Sequence, residues 1–104
     1  YIGTSNYDQT FILEVDDQEN VYVVGQTLGS YPVGFFVGGG SYSVPNSAQF
    51  IHKLSSALAL TLYSTVFGDG SNALVNISPT AFLVDNCGNV YVSGWGGGFN
   101  NTGG

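Results

Sequence analysis

A ten-residue motif that occurs twice constrains this chain more than any other feature of its 104 residues. The first copy runs from Asp16 to Gly25 and the second from Asp85 to Gly94, so the copies lie 69 positions apart (85 − 16). Each copy follows an apolar run and contains the string Asn-Val-Tyr-Val. Repetition at a fixed spacing indicates a fold that is built from copies of one unit.

Each copy has the pattern of a β-hairpin. Its Asp, Asn and Gly residues favour a tight turn, because Asx side chains hydrogen-bond nearby backbone groups and Gly accepts positive φ. The Val-Tyr-Val string suits a half-buried strand. Glu19 stands where the second copy has Gly88, so we expect the second turn to be the more relaxed one. Gly25 and Gly94 are expected to end a strand or to admit another backbone.

Alternating apolar residues predict strands on either side of the first turn and between the two motifs. Strands are predicted at 11–15, 21–26, 48–54 and 60–67, with a short one at 35–37 inside a glycine-punctuated insertion, and no helix is predicted. One unit then consists of four antiparallel strands, and the next unit begins after it. Since such a sheet cannot bury both of its faces alone, we expect each unit to pack against a neighbouring one.

The predicted fold class is all-β, with antiparallel four-stranded blades that form a fragment of a β-propeller. An open β-solenoid or a sandwich of the same hairpins is the alternative. Residues 1–5 are assigned to the end of a preceding blade, 6–70 to one blade with an insertion at about 28–44, and 71–104 to the start of the next. The first residue is not Met and the last residues are rich in Gly, and these features predict a piece of a longer chain.

The charge pattern argues against two classes of partner. The chain carries seven acidic residues and a single Lys, with a net charge of −6. Nucleic acids and anionic membrane surfaces are both recognised by clustered Lys and Arg, so neither is expected here. No apolar run reaches membrane-spanning length, so no membrane insertion is expected. The sparse charge and the many Gly, Ser, Asn and Tyr residues are common in secreted surface proteins.

Three parts of the sequence carry a resemblance to a known family: the segment 77–97 with its Asp-x-x-Gly-Asn-Val-Tyr-Val-x-Gly motif, and the segments 50–54 and 63–68. They resemble the seven-bladed SBBP-type β-propeller repeats of large secreted Bacteroidetes proteins. That family implies a secreted or cell-surface location, type IX secretion, a gliding-motility-associated C-terminal domain and a structural, adhesive or protein-interaction role. Glu19 departs from the Gly that is usual in the family. The motif is structural and carries no catalytic residue to transfer.

Aromatic residues are the candidates for ligand binding. If exposed, the insertion aromatics and Trp95 suit stacking on sugars or on a protein partner. Packing in the core and between blades is the other role and the favoured one. The candidate residues are Trp95, Tyr31, Phe35, Phe36 and Tyr42. They support an alternative function as a carbohydrate-binding propeller module, with glycans as partners beside neighbouring blades and cell-surface proteins.

Acidic residues near the turns are candidates for Ca²⁺ binding, since carboxylate and amide oxygens are the ligands that calcium prefers. The candidate carboxylates are Asp16, Asp17, Glu19 and Asp69, together with the amides of Asn20 and Asn72. Neither stretch has the twelve-residue spacing of a calcium loop, and turn formation is the competing interpretation. No other cofactor is expected.

His52 and Cys87 are the remaining residues with reactive side chains. His52 stands alone in a strand without ligand spacing around it, which favours a hydrogen-bonded or exposed strand histidine over a metal ligand. No Gly-x-Ser-x-Gly elbow occurs, so a hydrolase is not expected and the chain is predicted not to be an enzyme. Cys87 is expected to be a small buried side chain beside the turn, or to pair with a cysteine outside this segment.

Overall fold

The computed structural model describes residues 1–35, 42–71 and 75–97, and these contain seven β-strands and no helix. All strand pairings are antiparallel, so the prediction of an all-β antiparallel fold is confirmed. The strands are β1 (Asp8–Val15), β2 (Val21–Thr27), β3 (Gly34–Phe35), β4 (Gln49–Leu54), β5 (Thr61–Phe67), β6 (Ile77–Val84) and β7 (Val90–Gly96). They form one five-stranded sheet in the order β1-β2-β4-β5-β3 and a separate two-stranded sheet, β6-β7.

The two motif copies fold into the same hairpin. All seven residue pairs between β1 and β2 recur between β6 and β7 with the offset of 69, from Asp8 with Thr27 to Val15 with Val21. Even the β-bulge recurs: the register shifts around Phe11 in β1 and around Thr80 in β6. Bulges are reproducible features of a strand rather than defects. The two copies therefore have the same structure, as the sequence repeat predicts.

A carboxylate organises each turn. Asp16 Oδ1 accepts hydrogen bonds from the backbone amides of Gln18 and Asn20 at 2.9 Å each, and Asp16 Oδ2 accepts one from the Asn20 side chain. Asp85 holds Cys87 and Asn89 in the same way, at 2.9 and 2.8 Å. These are Asx-type turns, in which a side chain replaces a backbone acceptor.

The residue three positions after the turn aspartate adopts positive φ in both copies, +64° at Glu19 and +82° at Gly88. That region is comfortable for Gly and costly for a residue with a Cβ. The prediction that the second turn is the more relaxed one is confirmed.

The first sheet is a meander with one added edge strand. Its strands β1, β2, β4 and β5 follow each other in sequence and in space, as the four-strand prediction requires, and β4 and β5 begin one residue later than predicted. The short predicted strand of the insertion lies at Gly34–Phe35 and pairs with β5; the remainder of that prediction, 36–37, lies outside the described residues. A turn at 55–60 joins β4 to β5, with Leu58 at φ +58°.

Each face of the first sheet carries its own apolar cluster, since side chains alternate along a strand. One cluster contains Val23, Tyr31, Phe50 and Val66, with Ile2 and Leu54 packed against it. The other contains Tyr22, Val24, Ile51, Phe67 and Phe82, with Val84, Val90 and Val92 from the second hairpin. The second hairpin thus lies on one face of the first sheet, and the apolar cluster around Tyr22 fills the space between the two sheets. The cluster around Phe50 lies on the other face.

Candidate functional site

The most distinctive surface of the protein is the face of β6–β7 that points away from the first sheet. We call this face the outer β6–β7 face. It is formed by Ser78, Ala81, Leu83, Tyr91, Ser93 and Trp95. None of these residues is charged, and Leu83, Tyr91 and Trp95 are exposed by 56, 55 and 74% of their surfaces. Contiguous exposed apolar side chains commonly mark an interaction site.

The equivalent face of β1–β2 is covered. The offset of 69 places Ile12, Tyr22 and Val24 at the positions of Ala81, Tyr91 and Ser93. Tyr22 and Val24 are buried, and Phe82 of the second hairpin packs against Tyr22 with the ring centres 6.3 Å apart. One face of the repeated unit is therefore covered by the following hairpin in the first copy and bare in the second.

A second bare apolar surface lies on the opposite face of the edge strand β1. We call it the β1 face; it consists of Leu13 and Val15, both exposed, together with the exposed bulge residue Phe11 next to them in the chain. Leu13 and Val15 are equivalent to Phe82 and Val84, the residues through which the second hairpin packs on the first. The β1 face therefore corresponds to the β6 part of the surface by which the second hairpin contacts the first. Of these two faces only Trp95 was a candidate from the sequence, because strand alternation groups the residues of a face but does not show which faces stay uncovered.

The structure does not bring the predicted aromatic ligand residues together at one site. Tyr31 takes the packing role and not the exposed one: its ring is buried and stacks on Phe50 with centroids 4.1 Å apart. An aromatic ring surrounded by apolar residues gains more from burial than from a surface role. Trp95 and Tyr42 are exposed. Phe36 lies outside the described residues, and Phe35 forms backbone pairs with β5.

His52 is buried, and both of its ring nitrogens are engaged. Tyr31 Oη lies 2.9 Å from Nδ1, and Thr61 Oγ1 lies 2.8 Å from Nε2. Since hydroxyls can donate or accept, either neutral tautomer satisfies both contacts. Burial lowers the pKa of His52, so the ring is neutral at pH 7. Burial, with a smaller contribution from nearby Asp8, raises the pKa of the Tyr31 phenol far above its usual value.

Two cavities flank this network on the first sheet. The larger, about 420 Å³, is lined by both polar and apolar side chains, among them Asn6, Tyr31, Ser47 and Val66. The smaller, about 230 Å³, reaches His52, Thr61 and Ser64 beside the N-terminal segment. Ser64 Oγ donates to the carbonyl of Pro32 at 2.6 Å and accepts from the amide of Gly34. Neither cavity is lined by Trp95 or Tyr42, so neither gathers the predicted aromatic set.

The predicted calcium ligands serve the turns. Asp16 is occupied by its turn amides and by Lys53, whose Nζ lies 3.4 Å from Oδ2. Asp69 accepts from the amide of Ser71 and from the side chain of Asn76, at 2.9 Å each. Asp17 and Glu19 are exposed, and Asn72 lies outside the described residues. Within residues 1–35, 42–71 and 75–97, no group of three acidic, His or Cys side chains is arranged to hold a metal ion.

Cys87 is exposed, so the expectation of a buried small side chain is wrong. It occupies the second turn at the position of Gln18, and its backbone amide donates to Asp85 Oδ1 at 2.9 Å. A turn residue between two strands has no layer above it to bury its side chain.

Comparison with family models, with curated proteins and with solved structures yields no match to this chain. The resemblance to SBBP-type repeats therefore stays a prediction. In the part of the chain that the structure describes, no helix is long and apolar enough to cross a membrane.

Proposed function

We propose that this chain is a non-catalytic β-propeller segment of a secreted or cell-surface bacterial protein, with a structural, adhesive or protein-interaction role. The observation that carries the proposal is the contrast between equivalent faces: the face around Tyr22 is covered by the following hairpin, and the face around Tyr91 is bare. A unit that covers the face of the unit before it and leaves its own face open is the element from which repeat architectures are built.

The side chains with potential chemistry support the non-catalytic part of the proposal. The buried His52 has hydroxyl partners at both nitrogens, and the Asp16, Asp69 and Asp85 carboxylates are engaged in their turns. A general base needs a nitrogen or carboxylate that is free to meet a substrate. The repeat motif thus uses its polar residues to fix hairpins, and its apolar residues to stack them.

A tandem chain tests the architecture. We expect chains that carry two, three or more consecutive copies of the segment 8–76 to gain stability with each copy, because each added unit covers one more apolar face. Propeller packing predicts that the radius of gyration from small-angle scattering stops growing when the ring closes. Linear growth of the maximum dimension with copy number would contradict the propeller and favour the open solenoid.

Localisation is tested on the native protein. An antibody against this segment should detect a polypeptide far larger than 10.9 kDa in the culture medium, or one on intact cells that added protease removes. A cytoplasmic enzyme in the same cells, detected in parallel, should resist the protease and controls for lysis. A protease-resistant band of cytoplasmic origin would contradict the surface location.

Carbohydrate binding is the second candidate function, and one observation favours it. Tyr91 and Trp95 lie on the same face of β7, and both are exposed. Exposed aromatic rings with an apolar face and a polar tip suit the stacking of a sugar ring. Binding on a glycan array that is lost in Trp95→Ala and kept in Tyr42→Ala would support this function. A wild-type chain that binds no glycan would exclude it for the glycans on the array.

A further inference from the structure

The contact between the two hairpins defines how one unit recognises the next. On the first hairpin the contact surface comprises Ile12, Tyr22 and Val24; on the second it comprises Phe82, Val84, Val90 and Val92. The two surfaces belong to opposite faces of the same repeated hairpin, since Phe82 and Val84 are equivalent to Leu13 and Val15. The contact is thus head to tail, with one face of a unit against the other face of its neighbour.

Two surfaces that take no part in this contact are equivalent to its two sides. The outer β6–β7 face repeats the face that receives a hairpin, and the β1 face repeats the Phe82 and Val84 half of the face that delivers one. The other half, Val90 and Val92, corresponds to Val21 and Val23, which belong to the cluster of Tyr31 and Phe50. Ile2 and Tyr31 cover the part of the first sheet over β2 and β4, but Phe11, Leu13 and Val15 stay bare along the edge. None of the side chains on the outer β6–β7 face or among these three is charged.

The side chains of the two open surfaces differ in size from those of the closed contact. At the receiving positions, Ala81 and Ser93 replace the larger Ile12 and Val24, and Leu83 replaces the charged Glu14. At the delivering positions, Leu13 replaces the larger Phe82. The open pair thus carries smaller side chains than the closed contact and lacks the charge at the position of Glu14, and an uncharged surface favours burial against another apolar face.

We propose that the outer β6–β7 face is a docking surface for a second copy of this chain, which binds through its β1 face. This inference rests on the same repeat packing as the proposed function, but it concerns association between chains and needs neither secretion nor a particular family. The interface is heterologous, because two different surfaces meet. Heterologous contacts extend into chains or rings of copies rather than stop at a two-fold dimer.

Two charge substitutions test the proposal by blocking one surface each. Leu83→Asp places a carboxylate on the outer β6–β7 face, and Leu13→Asp places one on the β1 face; both leucines are more than half exposed, so the fold tolerates the change. Sedimentation velocity should show that the wild-type chain forms species beyond a dimer as concentration rises. Each variant alone should remain monomeric, and an equimolar mixture should form a one-to-one heterodimer that grows no further.

Leu60→Asp is the matched control. Leu60 is 63% exposed and lies in the turn before β5. The strands β2 and β4 separate β5 from β1, and β6–β7 is a separate sheet, so this variant should associate like the wild type. Thermal melting by circular dichroism verifies the fold of each variant, and Leu83→Thr with Leu13→Thr provides a milder pair if an Asp variant unfolds.

A wild-type chain that stays monomeric at all concentrations would overturn the proposal, as would a mixture of the two variants that stays monomeric. Association that one substitution abolishes and the other leaves intact would indicate a symmetric interface and would overturn it too. None of these outcomes bears on packing between units of a single chain, which the tandem chains measure separately.

Discussion

Tyr22 and Tyr91 occupy the same position of the repeated hairpin, yet Tyr22 is 1% exposed and Tyr91 is 55% exposed. The Tyr22 ring packs edge-on against Tyr63, with the ring centres 6.2 Å apart, and at a tilt against Phe82 of the following hairpin. The Lys53 ammonium lies 4.8 Å from the centre of the Tyr22 ring. Tyr91 has a hydrogen bond from its hydroxyl to Asp85 Oδ2 at 3.3 Å. The difference in burial comes from neighbours in space and not from the local sequence.

This pair yields the first prediction. Tyr22→Ala should lower the free energy of unfolding by about 3 kcal/mol, because it opens a cavity in the core between the sheets. Tyr91→Ala should change it by no more than about 0.5 kcal/mol, since its ring faces solvent. Urea denaturation followed by fluorescence measures both. Equal costs would show that the two hairpins are not covered differently.

The turn residue with positive φ gives a second prediction. Glu19→Gly should raise the free energy of unfolding by about 1 kcal/mol, because a residue with a Cβ at φ +64° is strained. Gly88→Glu, the reverse change in the second turn, should lower it by about the same amount. Chemical denaturation of both variants checks the pair, and a destabilised Glu19→Gly chain would contradict the strain argument.

Gly25 gives a third prediction. A Cβ at this position would lie 2.1 Å from the Gln9 carbonyl oxygen and 2.8 Å from the Phe50 ring, so Gly25→Ala should cost at least about 2 kcal/mol. Gly94 has the same close approach, to the Ser78 carbonyl. Gly97→Ala is the control, because nothing lies within 4 Å of its Cβ. Similar melting temperatures for the Gly25 and Gly97 variants would refute the steric account.

Acid sensitivity of the core gives a fourth prediction. Burial lowers the pKa of His52 from 6.5, so between that lowered pKa and 6.5 the unfolded chain binds more protons than the folded one. The free energy of unfolding should therefore fall as the pH drops from about 7 through the folded pKa. His52→Gln, which keeps hydrogen-bonding capacity toward Tyr31 and Thr61, should remove this dependence in melting curves recorded between pH 7 and pH 5. A pH profile that His52→Gln leaves unchanged would show that the pKa of His52 is the same in the folded and the unfolded chain.

The two turn carboxylates give a fifth prediction. Burial opposes ionisation of Asp16, but hydrogen bonds from Asn20 and Gln18 and the charge of Lys53 outweigh it and lower its pKa. The hydrogen bonds from Asn89 are the largest cause that lowers the pKa of Asp85. In both cases the stabilisation is present above pH 3.8 and is lost as the pH falls through the lowered pKa.

Asp16→Ala should reduce the melting temperature more than Asp85→Ala at pH 7, because Asp16 alone of the two pairs with Lys53. A double-mutant cycle with Lys53→Met isolates this difference: it should show coupling for Asp16 and none for Asp85. The difference between the two Ala variants should vanish at pH 2. Coupling of Lys53 to Asp85 would contradict the pairing that the structure shows.

Much of the fold was predictable because its signals are local. The Asp-Asn-Gly turn, the alternation along the strands and the fixed offset together predict both hairpins and the four-strand meander. The same local signals mislead where burial depends on distant chain. Tyr31 lies in a segment that resembles an exposed insertion, but its side chain folds back onto Phe50 and His52.

The amino-acid sequence by itself determined the hairpins, because a side-chain carboxylate, a turn residue and a β-branched strand act within a few positions of one another. Only the tertiary structure decided which faces are covered, since identical hairpins acquire different environments according to what packs on them. Tyr22 is a core residue and Tyr91 a surface residue for this reason alone. Apolar burial is non-directional and depends on the whole surrounding surface, so a repeat in sequence specifies equal shapes but not equal surroundings.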